Sequence, residues 1–148
     1  MIQLLLLQVV YQESNSPFLI KKKREWERVL EKPRSSFKFL AFTWSNPSIL
    51  IGRPTFFSDL FSALGGKNIL EETIKVPYPQ VSDEWLLKQS PDIVFFIEYS
   101  DEVRTQMQTR LKRWWPKLKP KLVGLRPEFF SRTSFTPLAN IDTLGILP

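Results

Sequence analysis

The side chains that most often carry out chemistry in proteins are missing from this sequence. Its 148 residues include neither histidine nor cysteine. This excludes thiol catalysis, histidine acid–base catalysis, serine–histidine triads, disulfide bonds, and zinc or haem ligation through the usual side chains. The residues that remain available for a site are carboxylates, a run of basic residues, and aromatic rings, which make up 14% of the chain.

The carboxylates and glycines do not predict a catalytic or metal site. Glu71 and Glu72 are adjacent, as are Asp83 and Glu84, and neighbouring residues on a helix point away from each other. Neither pair supplies the convergent oxygen ligands that magnesium requires. Residues 65–68 (GGKN) resemble part of a phosphate-binding loop, but the full pattern is missing and these glycines end a predicted helix. We therefore predict no enzyme activity, no catalytic residue and no bound metal ion.

A basic segment is the next candidate. The chain has 21 basic and 15 acidic residues, and between residues 104 and 126 there are eight basic residues and no acidic one. Trp114 and Trp115 lie within it, so one interpretation is a nucleic-acid surface that neutralises phosphates and stacks on bases. The other is a solvated helix face above two core tryptophans, which the absence of a known nucleic-acid motif favours. The basic residues are Arg104, Arg110, Lys112, Arg113, Lys117, Lys119, Lys121 and Arg126.

Several aromatic residues stand in or beside predicted loops and helix starts. Most aromatic side chains belong to the core, because burial stabilises each by about 1.5–3 kcal/mol. In open α/β folds, however, loops at one edge of a parallel sheet bind ligands. Rings that converge there could stack on a large planar ligand, although core packing explains each ring at least as well. The residues are Phe56, Tyr78, Trp85, Phe129, Phe130 and Phe135.

The elements that must position these residues follow from apolar periodicity, caps and breakers. Thr55 and Ser82 are predicted to cap two of the helices, and residues 65–66 to end the first of those. Strands separated by helices of this length are typical of an α/β fold with a mainly parallel sheet. Strands are predicted over residues 37–42, 93–97 and 121–125, and helices over 18–31, 56–64, 83–89, 101–115 and 136–146.

Residues 2–10 (IQLLLLQVV) form an apolar run at the start of the sequence. The run is about half of the ~20 residues needed to span a bilayer. It also lacks a basic start and a small-residue cleavage site, so it does not match a signal peptide. We interpret it as a buried strand or helix start, which would leave the chain cytoplasmic if it is expressed in this form.

Three segments in order resemble a known family. Residues 52–69 (GRPTFFSDLFSALGGKNI) are followed by 76–82 (VPYPQVS) and 90–94 (SPDIV). This series is similar to the C-terminal lobe of class III periplasmic binding proteins, the receptors of ATP-binding-cassette (ABC) importers for ferric siderophores, haem and cobalamin. Residues 76–82 are especially similar to the cobalamin-binding branch. The resemblance covers roughly residues 36–148.

The resemblance implies a fold and a domain division. It implies a three-layer αβα, Rossmann-like lobe over residues 36–148, with a mainly parallel central sheet. Residues 1–35 would then be an N-terminal extension that includes the tail of the helix joining two lobes. No part of the sequence before residue 18 resembles a first lobe, so we expect an N-terminal lobe to be missing from this chain. The absence of histidine also disfavours the branch of the family that binds zinc or manganese.

The resemblance also implies site residues and partners. Phe56, Tyr78, Glu128 and Arg132 match ligand-facing positions, and Glu84 matches a surface glutamate that docks on arginines of the permease. The expected function is non-covalent binding of a ferric siderophore, haem or cobalamin for import, in the periplasm or cell envelope. Two alternatives remain open: a truncated remnant that binds nothing, and a nucleic-acid-binding domain that uses residues 104–126.

Overall fold

Five strands and four α-helices alternate along residues 17–127, the part of the chain that the computed structural model describes. The strands are β1 Phe37–Ser45, β2 Ser48–Leu50, β3 Gly66–Asn68, β4 Ile93–Ile97 and β5 Lys121–Leu125. The helices are α1 Pro17–Glu31, α2 Phe56–Ala63, α3 Asp83–Leu87 and α4 Asp101–Trp114, and a 3₁₀ helix covers Ile69–Glu72.

The sheet is mainly parallel, as predicted. Its order is β2-β1-β4-β5, and β3 also pairs with β1. The β1–β3, β1–β4 and β4–β5 pairs are parallel, whereas β1 and β2 form an antiparallel hairpin. Ala41 lies opposite Phe95, and Phe95 opposite Val123, so the three long strands are in register at their centres. Their carboxyl ends therefore meet at one edge of the sheet.

The alternation of side chains along β1 and β4 builds two cores, one on each face of the sheet. On one face, Phe39 and Phe95 pack with α2, and the Phe61 and Phe95 ring centroids are 4.4 Å apart. On the other face, Phe42 stacks on Trp114 of α4 with 5.5 Å between ring centroids. Helices thus cover both faces, and the predicted three-layer αβα architecture is confirmed.

Local sequence signals set the ends of the helices. The Thr55 and Ser82 side chains accept hydrogen bonds from backbone N–H groups of the first turns of α2 and α3, confirming both predicted caps. Gly65 follows α2 with a φ of 92°, a conformation that suits glycine. The apolar run over 2–10, the aromatic residues Phe129, Phe130 and Phe135, and the predicted helix over 136–146 lie outside the described residues. Within residues 17–127, no helix is both long enough and apolar enough to cross a membrane.

Candidate ligand-binding site

Tyr78 lies on a segment that is fixed to the edge of the sheet by backbone hydrogen bonds. The Leu50 N–H donates to the Pro79 carbonyl at 3.0 Å, and the Gly52 N–H donates to the Pro77 carbonyl at 2.7 Å. Both bonds flank Tyr78, whose side chain is 59% exposed. The segment therefore presents an aromatic ring to solvent on a backbone that is held on both sides.

Gly52 permits the close approach of this segment. A Cβ atom at residue 52 would lie 2.4 Å from the Val76 carbonyl oxygen and 3.1 Å from Leu70 Cδ2. Because the first neighbour is a backbone atom, a side-chain rotation could not relieve the contact. The glycine that opens the first motif segment is thus required by the same packing that holds Tyr78.

Asn68, the asparagine of the GGKN segment, has a structural role in the folded chain. Its buried side-chain Nδ2 donates to the Ile51 carbonyl at 2.9 Å and to Ser58 Oγ at 3.2 Å, while Oδ1 accepts from the Leu70 N–H at 3.1 Å. The amide thereby ties β3 and α2 to the chain that leads to Gly52. The prediction that the two glycines end a helix is confirmed by the backbone, because α2 ends at Ala63, Gly65 has a φ of 92° and Gly66 begins β3.

A cleft of about 250 Å³ opens at the carboxyl ends of β1 and β4. Its lining includes the side chains of Trp44 and Tyr99, which are 55% and 58% exposed, together with the buried side chains of Phe42, Phe96 and Met107. The cleft thus combines exposed rings with an apolar lining from the core. Its position, at the edge where parallel strands end, is where open α/β folds bind ligands.

Sequence reasoning missed both exposed rings of this cleft, although a signal was present. Trp44 follows the predicted strand over 37–42 by two residues, and Tyr99 follows the strand over 93–97 by two residues. Because parallel strands bring their carboxyl ends to one edge, an aromatic residue just beyond each of two such strands predicts a shared site.

Of the other three residues predicted to face a ligand, the structure describes only Phe56. Phe56, the first residue of α2, is 6% exposed and belongs to the core beneath the sheet. This burial does not support its predicted contact with a ligand. Glu128 and Arg132 lie outside the described residues, so their placement beside Tyr78 remains a prediction.

Glu84 is exposed in the first turn of α3, as predicted. Its neighbour Asp83 forms an ion pair with Arg113 of α4, with 3.2 Å between Oδ2 and Nη2. Leu87, at the end of the same helix, is also exposed. The short helix therefore exposes a carboxylate and an apolar side chain to solvent.

The basic segment does not present its tryptophans for stacking. Trp114 and Trp115 are both buried, and the Trp115 Nε1–H donates to the Leu86 carbonyl at 3.0 Å. Arg104 donates two hydrogen bonds to Glu98, at 2.7 and 2.6 Å, which raise the pKa of its guanidinium group. The interpretation of this segment as two core tryptophans beneath a solvated helix face is confirmed.

The adjacent glutamates serve packing and surface ion pairs. Glu71 accepts from Ser58 Oγ and lies 2.9 Å from Arg53 Nε. Glu72 lies 2.7 Å from Lys67 Nζ, and the hydrogen bond from this lysine lowers the pKa of the Glu72 carboxyl. Within residues 17–127, no three histidine, cysteine, aspartate or glutamate side chains are grouped so that they could hold a metal ion.

The family model described as "Periplasmic binding protein" matches residues 24–114. The chain therefore belongs to the periplasmic binding protein family. It is 32% identical over 79 residues to a vitamin B12-binding protein of Photorhabdus laumondii, a match covering 53% of this chain and 26% of that relative. The family model confirms the predicted family, and this curated relative is a vitamin B12-binding protein, the kind of member to which residues 76–82 are similar.

Solved structures show the same fold. The periplasmic vitamin B12-binding protein BtuF of Vibrio cholerae superimposes with a TM-score of 0.65 and 20% identity, over 93% of this chain and 56% of that one. Staphylococcus aureus IsdE, solved in complex with haem, gives a TM-score of 0.63 and 21% identity, over 86% of this chain and 53% of that one. The chain thus spans about half the length of these two structures. Its match to the curated relative covers about a quarter of that relative's length.

Proposed function

We propose that this chain is the C-terminal lobe of a substrate-binding component of an ABC importer, and that its ligand is a cobalamin, a haem or a ferric siderophore. The observation that carries the proposal is Tyr78, an exposed aromatic ring on a rigid segment within a region that matches the family. A relative and a solved structure that bind vitamin B12, and one solved with haem, support cobalamin and haem as ligands, and the ferric siderophore rests on the family resemblance.

Binding in this proposal is non-covalent and needs no catalytic group. The Tyr78 ring packs against a flat part of the ligand, and Arg132 pairs with its carboxylates or amides while Glu128 faces the same pocket. An opposite wall would come from an N-terminal lobe. If that wall supplies about 4 kcal/mol, the C-terminal lobe alone binds about a thousandfold more weakly.

The second part of the proposal is that Glu84 docks on arginines of the permease. Its exposure and its place at a helix start, next to the exposed Leu87, support this role. In a two-lobed receptor that contains this lobe, Glu84→Arg is expected to abolish association with the permease by placing two positive charges together.

A matched control for this experiment is Glu102→Arg, which changes another exposed glutamate in the first turn of a helix. We expect this variant to associate normally, because the match to the docking glutamate is at Glu84. Association with the permease is measured by co-purification. If the Glu84→Arg variant associates as well as the Glu102→Arg variant, the docking role is wrong.

Size and location of the native product test the division into lobes. In fractionated source cells, an immunoblot band about twice the calculated 17.4 kDa in the periplasmic or envelope fraction is expected for a two-lobed receptor. A soluble band at 17.4 kDa would instead favour a remnant.

Oligonucleotide binding with a steep salt dependence would favour the nucleic-acid alternative, which the burial of Trp114 and Trp115 disfavours.

A further inference from the structure

The cleft between β1, β4 and α4 is separate from the segment that carries Tyr78. Trp44 belongs to β1, whereas the Tyr78 segment pairs with the far edge of β2 through the bridge between Ile49 and Gln80. Two strand spacings, about 10 Å in all, therefore separate the backbones of β1 and this segment. Tyr78 is not among the residues that line the cleft.

The cleft carries no formal charge among the described residues that line it. The nearest ionisable neighbours in sequence, Glu98 and Arg104, pair with each other through two hydrogen bonds. A charged ligand would thus lose hydration without gaining an ion pair in return. The polar groups at the rim, such as the Gln106 amide, can still donate to or accept from an uncharged ligand.

The aromatic wall of the cleft is partly fixed before any ligand binds. Trp44 Nε1–H donates to the Asn46 carbonyl at 2.8 Å, within the β1–β2 turn. Strand β1 itself is paired on both sides at this end, by β2 and β4. A ring held in this way loses little conformational entropy when a flat molecule stacks against it.

We infer that this cleft binds an uncharged, flat aromatic group of one or two fused rings. Exposed tryptophan and tyrosine rings supply stacking surfaces, and Phe42, Phe96 and Met107 supply apolar contact. The volume of about 250 Å³ lies just below the roughly 300–1,000 Å³ of pockets for drug-sized ligands. The occupant is therefore limited to about one or two fused rings. The inference goes beyond the proposed function, because it does not depend on Tyr78 or on an importer.

Quinoline, a neutral two-ring heteroaromatic at pH 7.5, is a suitable probe for NMR titration of the labelled chain. We expect saturable binding with a dissociation constant of about 1 mM or lower. The shifted resonances should cluster in residues 43–46 and 96–107 and include the Trp44 indole N–H. Quinoline-2-carboxylate, which adds one negative charge to the same rings, should bind at least about tenfold more weakly.

Two variants and two controls make the test specific. Trp44→Ala and Tyr99→Ala should each weaken quinoline binding at least about tenfold without unfolding the chain, because both side chains are more than half exposed. Leu87→Ala, at an exposed apolar residue outside the cleft, and Tyr78→Ala should leave quinoline binding unchanged. Loss of binding in the Tyr78→Ala variant, unchanged binding in both cleft variants, or no saturation by 10 mM quinoline would overturn the inference.

Failure of this experiment and failure of the proposed function are distinguishable. If quinoline does not bind but an importer ligand does so through Tyr78, only the cleft inference is lost. If quinoline binds this chain but no importer ligand binds a two-lobed receptor that contains it, the cleft inference stands and the proposed function fails.

Discussion

Substitution of Gly52 by alanine is expected to release the Tyr78 segment from the sheet. The new Cβ would lie 2.4 Å from the Val76 carbonyl oxygen, whereas an ordinary van der Waals contact needs at least 3.4 Å. The backbone must therefore move by about 1 Å. That movement strains the hydrogen bonds from Gly52 to Pro77 and from Leu50 to Pro79.

The expected cost follows from these two effects. Overpacking of a tight site costs about 1–3 kcal/mol, and each weakened backbone hydrogen bond costs about 0.5–1.5 kcal/mol. We therefore expect the free energy of unfolding to fall by about 2–6 kcal/mol, and the melting temperature to fall by roughly 4–24 °C for a chain of this length. Urea unfolding followed by circular dichroism, with thermal melts in parallel, measures both quantities.

Gly124→Ala is the matched control for this prediction. There the added Cβ would meet the Glu98 carboxylate at 1.9 Å, but this is the end of a flexible side chain that can rotate away. The cost is then limited to a partly exposed ion pair with Arg104, about 1 kcal/mol or less. Both variants also lose the same unfolded-state entropy, so their difference reports the backbone clash. Equal stability of Gly52→Ala and Gly124→Ala would refute the reasoning.

Two further predictions concern single side chains. Trp115→Phe should cost about 1–3 kcal/mol more than Trp114→Phe, because Trp115 Nε1 donates to a backbone carbonyl whereas Trp114 Nε1, among the described residues, has no partner. Equal losses of unfolding free energy in denaturant titrations would contradict this. Lys67→Ala should raise the pKa of the Glu72 carboxyl towards its ordinary value, since the folded-state pKa is lowered mainly by the hydrogen bond from Lys67. The pair thus stabilises the fold above the unfolded pKa of Glu72 and loses this effect as pH falls through the folded pKa. NMR titration of the Glu72 side chain measures this pKa in the wild type and in Lys67→Ala. An unchanged titration midpoint would show that Lys67 does not lower the pKa of Glu72.

The elements predicted from sequence are those with strong local signals. The apolar runs of β4 and β5 gave the observed bounds, and the caps at Thr55 and Ser82 marked two helix starts. Strands β2 and β3 were missed because each has three residues, too few for a hydrophobic period. Both exist because their backbones pair with the long strand β1, a tertiary effect that no local pattern contains.

The candidate site was predictable only in part. The exposure of Tyr78 and Glu84 agrees with their predicted places in a loop and at a helix start. The cleft of Trp44 and Tyr99 depends on which strands are neighbours and on their register, so the two residues became associated only once the sheet order was known. The close contact between Gly52 and Val76 likewise depends on a pairing of segments that are distant in sequence.

Titration of a two-lobed receptor that contains this lobe with cyanocobalamin, haemin and ferrichrome tests the central claim most directly. Isothermal titration calorimetry of the wild type should show 1:1 binding of one of the three. Tyr78→Ala should raise that dissociation constant at least tenfold, or about 1.4 kcal/mol, whereas Tyr78→Phe, which keeps the ring, should stay within about threefold. Saturable binding by none of the three, or equal binding by the wild type and Tyr78→Ala, would contradict the account.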